Sequence, residues 1–177
     1  MKSLKILFIG VVAVVAIFLI GAAFLPVSTT ISKTIFIASS PESVYKLTAD
    51  FHKWNSWSHW SKIDPDQKIK ITGPDMKVGS EMSWEGKKTG DGKLIITATQ
   101  EGKSLTLVMI TKSPREGSAI NQMTFKKVND GTEFNWVFLC ENKYPVERWT
   151  GLLMKSMLKK AFEDSMGNIK TILENKK

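Results

Sequence analysis

The chain has 177 residues, a formal charge of +8, two histidines and one cysteine. That length suits a single folded domain, and a domain of about 150 residues buries roughly 70% of the surface its unfolded chain exposes, so no covalent staple is needed. A lone Cys140 excludes an internal disulfide and any multi-cysteine metal site. The basic balance fits anionic headgroups, nucleic acid or simply a soluble surface.

Ile6 to Leu25 is an uncharged run of apolar and small residues. At about 1.5 Å per residue a helix over it spans roughly 30 Å, the hydrocarbon thickness of a bilayer. Residues 1–26 are therefore expected to form one transmembrane anchor. Gly21-Ala22-Ala23 resembles a signal-peptide cleavage site, but a cleaved signal has a shorter apolar stretch, of about 7–15 residues. Lys2 and Lys5 precede the run and the next basic residue is Lys33, which predicts a cytoplasmic N-terminus and an extracytoplasmic domain, periplasmic or extracellular, over 27–177. The connection Pro26–Thr30 reaches at most about 17 Å, so the domain is expected to sit against the bilayer.

Ile31–Ile37 is rich in β-branched residues and predicts a first strand. Ser39-Ser40-Pro41-Glu42 then marks a helix start, with serine to cap free N–H groups, proline for the first helical position and glutamate for the positive dipole end. Val44, Leu47, Thr48 and Phe51 are its buried face. The aromatic segment Phe51–Trp60 that follows has no clean period.

From Gln67 to Asn142 short strands alternate with turns, predicting strands near 67–72, 79–85, 92–100, 104–111, 118–128 and 132–141. Connections this short require antiparallel neighbours. Alternation puts Met82, Trp84, Leu94, Ile96, Leu105, Leu107, Met109, Met123, Phe125, Phe134, Trp136, Phe138 and Cys140 on one side, with polar residues opposite. The cover for that side is a long amphipathic helix, whose buried face is expected to hold Trp149, Leu153, Met157, Ala161, Met166, Ile169 and Leu173, with Lys155, Lys159 and Lys160 towards water.

Three local features carry a family resemblance: Ile37–Val44 leading into the first helix of the domain, Trp54, Trp57 and Trp60 after it, and Ser83-Trp84-Glu85-Gly86 in a strand. With this element order the chain resembles the SRPBCC (START-like) superfamily, in its polyketide cyclase/dehydrase-like branch, over about residues 30–175. The resemblance implies an α+β helix-grip fold: a curved antiparallel sheet of six to seven strands wrapped around a long C-terminal helix, here preceded by one transmembrane helix. It also implies an internal apolar cavity. Parity assigns its lining to Met82, Trp84, Met109, Asn121, Met123, Trp136 and Phe138 on the strands, Trp57 and Trp60 in the aromatic segment, and Leu153 and Met157 on the last helix.

Catalytic signals are sparse. His52 and His59 have no zinc-type spacing, and Asp50, Asp64 and Asp66 read as solvated loop carboxylates, so no metal or cofactor is expected. There is no GxSxG elbow, GxxxxGK[ST] or GxGxxG motif. His59 reads as a turn cap beside an aromatic cluster or, alternatively, as a general base. Asn121 reads either as a lone polar anchor for a ligand or as a partner for a neighbouring strand. The lysines suit anionic headgroups, and no nucleic-acid motif accompanies them. The expected role is a membrane-tethered binding domain for a lipid-like or other hydrophobic small molecule. The alternatives are a polyketide cyclase/dehydrase-like enzyme and an interaction module at the membrane that takes no ligand.

Overall fold

The computed structural model describes residues 2–175. An apolar helix, α1 (Lys2–Phe24), opens the chain, and its segment Ser3–Phe24 is long and apolar enough to cross a membrane. β1 (Ser28–Ile37) starts earlier than its β-branched core suggests, because Ser28, Thr29 and Thr30 already pair with Glu141, Cys140 and Leu139. The connection to α1 thus shrinks to Leu25, Pro26 and Val27.

α2 (Pro41–Ala49) begins as its cap predicts: Ser40 Oγ accepts the Ser43 N–H at 3.2 Å and Pro41 occupies the first turn. Val44, Tyr45, Leu47 and Thr48 are buried beneath it. The aperiodic aromatic segment folds as a 3-10 turn (Phe51–Lys53) followed by two short helices, α3 (Trp54–Trp57) and α4 (His59–Ile63).

The meander is β2 (Lys68–Thr72), β3 (Glu81–Gly86), β4 (Gly90–Gln100), β5 (Ser104–Ser113), β6 (Gly117–Val128) and β7 (Gly131–Glu141), and α5 (Val146–Glu174) ends the fold. The seven strands form one antiparallel sheet in the order β1-β7-β6-β5-β4-β3-β2. Register shifts between β4 and β5, at Asp91/Gly92 and at Ile96/Ala98, add an extra residue on one strand each time, which bends the strands and curves the sheet. The inward side is the apolar one expected from alternation: Met82, Leu94, Ile96, Leu105, Leu107, Met123, Phe125, Phe134, Trp136 and Phe138 are all buried.

α5 packs along β1 and against α2, α3 and α4. Its buried face is Gly151, Leu158, Ala161, Phe162, Ser165, Met166 and Ile169. This corrects the expected face in its first turns: Leu153 is 75% exposed, on the far side from the sheet, and Met157 is half exposed. Leu152, Leu153, Met154, Met157 and Leu158 together make the apolar arc too wide to define one face. The helix is instead rotated by contacts further along and by Gly151, where a Cβ would lie 2.6 Å from Asn142 Oδ1.

The start of α5 also grips the end of α1. Trp149 Nε1 donates to the Phe18 carbonyl at 3.2 Å and its ring stacks on Phe18 at 5.8 Å. The Tyr144 hydroxyl donates to the Leu19 carbonyl at 3.0 Å. Arg148 Nη1 donates to the carbonyls of Ala22 and Ala23 at 3.2 and 3.3 Å, where a cation also suits the negative end of the helix dipole. Gly21 makes room for the indole, since a Cβ there would stand 2.7 Å from it.

Candidate functional site

The inner face of the sheet is covered unevenly, and that unevenness makes the site. Towards the Ile37–Thr132 end, α2 and α3 lie over Ile96, Leu105, Leu107, Met123, Phe125 and Phe134, and the space is filled. There Phe125 stacks on Phe134 at 5.4 Å, and Trp57 packs on Trp54 at 4.4 Å and on Trp136 at 5.9 Å. Towards the Ser28–Glu141 end only the first half of α5 spans the sheet, and a cavity of about 560 Å³ opens beneath it. That volume is in the range of small-molecule sites.

Its floor is Met82, Trp84, Leu94, Met109, Ala119, Asn121, Trp136, Phe138 and Cys140, and its roof is Thr150, Gly151, Met154, Met157, Leu158 and Phe162. Trp54, Trp60, Gln67 and Ile69 close the inner end, while Ser113–Ser118, Glu141–Lys143 and Glu147 form the rim. Arg115 Nη2 and Glu147 Oε1 approach to 3.4 Å, an ion pair linking the β5–β6 loop to the first turn of α5 across the mouth. Glu147 is held from behind, because its Oε2 accepts the Lys143 N–H at 2.7 Å. The rim runs directly into the α1 junction: Asn142 lines the cavity, donates from Nδ2 to the Pro26 carbonyl at 3.2 Å, and donates from its backbone N to Val27 at 2.8 Å.

Of the residues expected at a cavity, Trp60, Met82, Trp84, Met109, Asn121, Trp136, Phe138 and Met157 meet around this space. Trp57 and Met123 do not; both are fully buried in the packed half of the core, and the Trp57 indole N–H is satisfied by the Leu47 carbonyl at 3.2 Å. Leu153 is also excluded, by the rotation of α5 described above.

Asn121 takes the second of its two expected readings, a partner for the neighbouring strand. It is buried, and its Oδ1 accepts the Trp136 indole N–H at 3.0 Å. An indole nitrogen can only donate, so this bond fixes which end of the carboxamide is oxygen. The amide Nδ2, a two-proton donor, is thus the other end of a side chain that lines the cavity floor. The floor therefore places a carboxamide donor among mostly apolar side chains.

His59 is turned away from the cavity lining and pins α4 to α5: Nδ1 lies 2.9 Å from Asp164 Oδ2, and its backbone N donates to Ser165 Oγ at 3.0 Å. Cys140 lines the cavity beside Thr29, and burial pushes its thiol up, keeping it protonated at neutral pH.

Residues 28–174 match the family model described as polyketide cyclase / dehydrase and lipid transport. The chain belongs to that family. No curated protein matches it in sequence. Among solved structures it is similar to protein CV1439 of Chromobacterium violaceum, with TM-score 0.62, 15% identity, and coverage of 82% of this chain and 97% of that one. It is also similar to the di-domain ARO/CYC StfQ of the steffimycin biosynthetic pathway (TM-score 0.67, 8% identity, covering 85% and 52%). A third is the Aha1 dimer of Colwellia psychrerythraea (TM-score 0.57, 16% identity, covering 82% and 96%). At these identities the likeness establishes the helix-grip fold alone.

In this polyketide cyclase/dehydrase-family chain, parity arguments missed several wall residues. Leu94, Ala119 and Cys140 share the inward parity of their strands, while Phe162 and Met154 depend on the rotation of α5. One signal was present in the sequence. On β6 the inward residues shrink from Phe125 and Met123 to Asn121 and Ala119, and that small, polar end is the hollow one.

Asp64, expected to be a solvated loop carboxylate, is buried and organises the inner rim. Its Oδ2 accepts the backbone N–H groups of Lys88 at 2.7 Å and Thr89 at 3.1 Å, and the Thr89 hydroxyl at 3.2 Å. These donors, Lys88 N–H foremost, hold its carboxyl below the usual aspartate range against the opposing effect of burial. A lowered folded-state value means that its stabilisation is complete above the ordinary aspartate pKa and disappears as pH falls through the lowered one. Asp64→Asn is therefore expected to lose stability at neutral pH and to show a flatter acid limb than wild type. Urea unfolding between neutral pH and about pH 2 checks this, and parallel acid limbs would refute it.

Proposed function

We propose that this chain is a membrane-tethered binding domain for a lipid-like or other hydrophobic small molecule, held between the sheet and the first half of α5. The observation that carries the reading is the largely apolar cavity with a carboxamide, Asn121, on its deep floor. A ligand covering about 300 Å² of apolar wall gains roughly 7 kcal/mol before the costs of association, enough for carrying or sensing and too little for storage. The Asn121 amide favours a molecule with an acceptor oxygen on its buried part, since Nδ2 can only donate.

The tether is α1. Its length matches the hydrocarbon core, and Lys2 and Lys5 at its start favour a cytoplasmic N-terminus with the folded part on the other side. The cyclase/dehydrase alternative calls for at least two polar groups converging on a substrate. On the deep floor Asn121 is bonded to Trp136, Gln67 at the inner end is tied to Ser61 and Thr89, and His59 is occupied with Asp164 on α5, so binding is favoured over turnover.

Native mass spectrometry of the full chain released from detergent micelles tests the reading. The expected result is an added mass of a few hundred daltons, on the order of a drug-sized ligand, that is recovered in organic solvent. A chain that flies bare and takes up no cis-parinaric acid in solution would overturn it.

A further inference from the structure

Outside α1, six of the eleven exposed large apolar side chains fall within one short stretch, Tyr144 to Met157, while Val27, Phe36, Val78, Ile120 and Leu139 are scattered. Leu152 (55% exposed), Leu153 (75%), Met154 (44%) and Met157 (50%) follow one another on the second and third turns of α5. Tyr144 and Val146, also exposed, precede them. A patch of this kind on a monomer marks an interaction surface.

Its neighbours identify the partner. Trp149, one turn before the patch, is hydrogen-bonded to the carbonyl of Phe18, and Tyr144 to that of Leu19. Phe18 lies six residues before the end of α1, or about 9 Å back along the helix axis. If Ile6 to Phe24 fills the hydrocarbon layer, the Phe18 carbonyl is at or below the depth of the lipid glycerol groups. The Trp149 indole and the Tyr144 hydroxyl then reach below the headgroups into the outer acyl-chain region, and the first turns of α5, which carry them, sit at the interface with an apolar face. Exposed Lys155, Lys159 and Lys160 come next, placed to reach headgroup phosphates.

We propose that the first three turns of α5 lie in the interfacial layer of the leaflet from which α1 emerges, so that the cavity opens onto acyl chains rather than water. This rests on the tethered-binding reading and adds to it a docking surface and a route. Met154 and Met157 are both exposed and part of the cavity roof, so the face that meets lipid is also the edge of the mouth. A hydrophobic molecule moves sideways from the leaflet past these flexible thioethers, beside the Arg115–Glu147 pair, without crossing water.

The test uses the full chain in vesicles of phosphatidylcholine and phosphatidylglycerol, with Cys140→Ser removing the native thiol. Single cysteines Leu153→Cys, Val14→Cys and Asp130→Cys each carry the fluorophore NBD. Asp130 lies on the β6–β7 turn, a strand length of about 35 Å from the junction. Lipids bearing a nitroxide at acyl carbon five act as quencher. The Leu153 and Val14 probes are expected to lose about half their emission or more, and the Asp130 probe almost none. Quenching at Val14 but not at Leu153 would overturn the docking of α5 while leaving the tether standing. An unquenched Val14 probe would overturn the tether itself, and the docking with it.

Discussion

Trp57→Ala is expected to lower the unfolding free energy by about 3–5 kcal/mol, roughly 10 °C in melting temperature, and Trp60→Ala by much less. Both tryptophans come from the same aromatic segment, and their neighbours in sequence are alike. Trp57 is fully buried, packs on Trp54 and Trp136 and donates to the Leu47 carbonyl, so truncation leaves a closed void and an unpaired backbone acceptor. Trp60 borders space that already exists, so removing it enlarges an open cavity instead of creating one. Folded proteins have only about 5–15 kcal/mol in hand, so the Trp57 variant is placed near the limit of folding. Denaturant unfolding of the full chain in mild detergent, followed by near-ultraviolet circular dichroism, measures both. Equal losses at the two positions would mean that the boundary between packed core and cavity lies elsewhere.

Ala119→Trp is expected to weaken binding of cis-parinaric acid about tenfold or more, while unfolding stability stays within about 1 kcal/mol of wild type or rises. Ala119 is buried on β6, opposite Cys140 of β7 and Met109 of β5, and its methyl group is part of the cavity floor. An indole there fills space that is empty, so the overpacking penalty of a closed core does not apply. The substitution leaves the Asn121–Trp136 hydrogen bond untouched, which separates loss of room from loss of the donor. Fluorescence titration gives the affinity and the denaturant midpoint gives the stability. Unchanged affinity in a folded variant would place the bound molecule outside this cavity.

Much of the architecture is legible in the sequence. The turn signals at Glu101-Gly102-Lys103 and Asn129-Asp130-Gly131 fall where strands meet, with Gly102 and Asn129 in the left-handed conformation that those residue types tolerate, whereas Gly90-Asp91-Gly92 already pairs with β3 and the turn is at 87–89. Alternation sorts Met82, Leu94 and Phe138 to the buried inside and Met109 to the cavity wall because a strand has a strict period of two, and the outer polar residues make the contrast sharp. The Ser40-Pro41 start of α2 was readable for an equally local reason, since a cap acts within one turn.

The first half of α5 was not legible in the same way. Apolar residues surround it, and a 3.6-residue period carries no information when every face is hydrophobic. Leu153 was thus placed inward and is outward. The excess of apolar surface that misled the reading is the same surface that we assign to the membrane.

Element order, strand pairing, the inward parity of each strand and the presence of a membrane-length helix follow from the sequence by itself, because each depends on residues close together in the chain. Which part of the inner face is filled and which is hollow was decided only in the tertiary structure. Met123 and Trp136 have the same inward parity and Trp57 belongs to the same aromatic segment as Trp60, yet Trp57 and Met123 are fully enclosed while Trp136 packs on Trp57 on one side and borders the cavity on the other. The physical reason is that packing is a property of what lies opposite a side chain: α2 faces one end of β6 and β7, while at the other end the opposite wall is α5, far away in sequence, with Phe162 on Trp136 and Phe138.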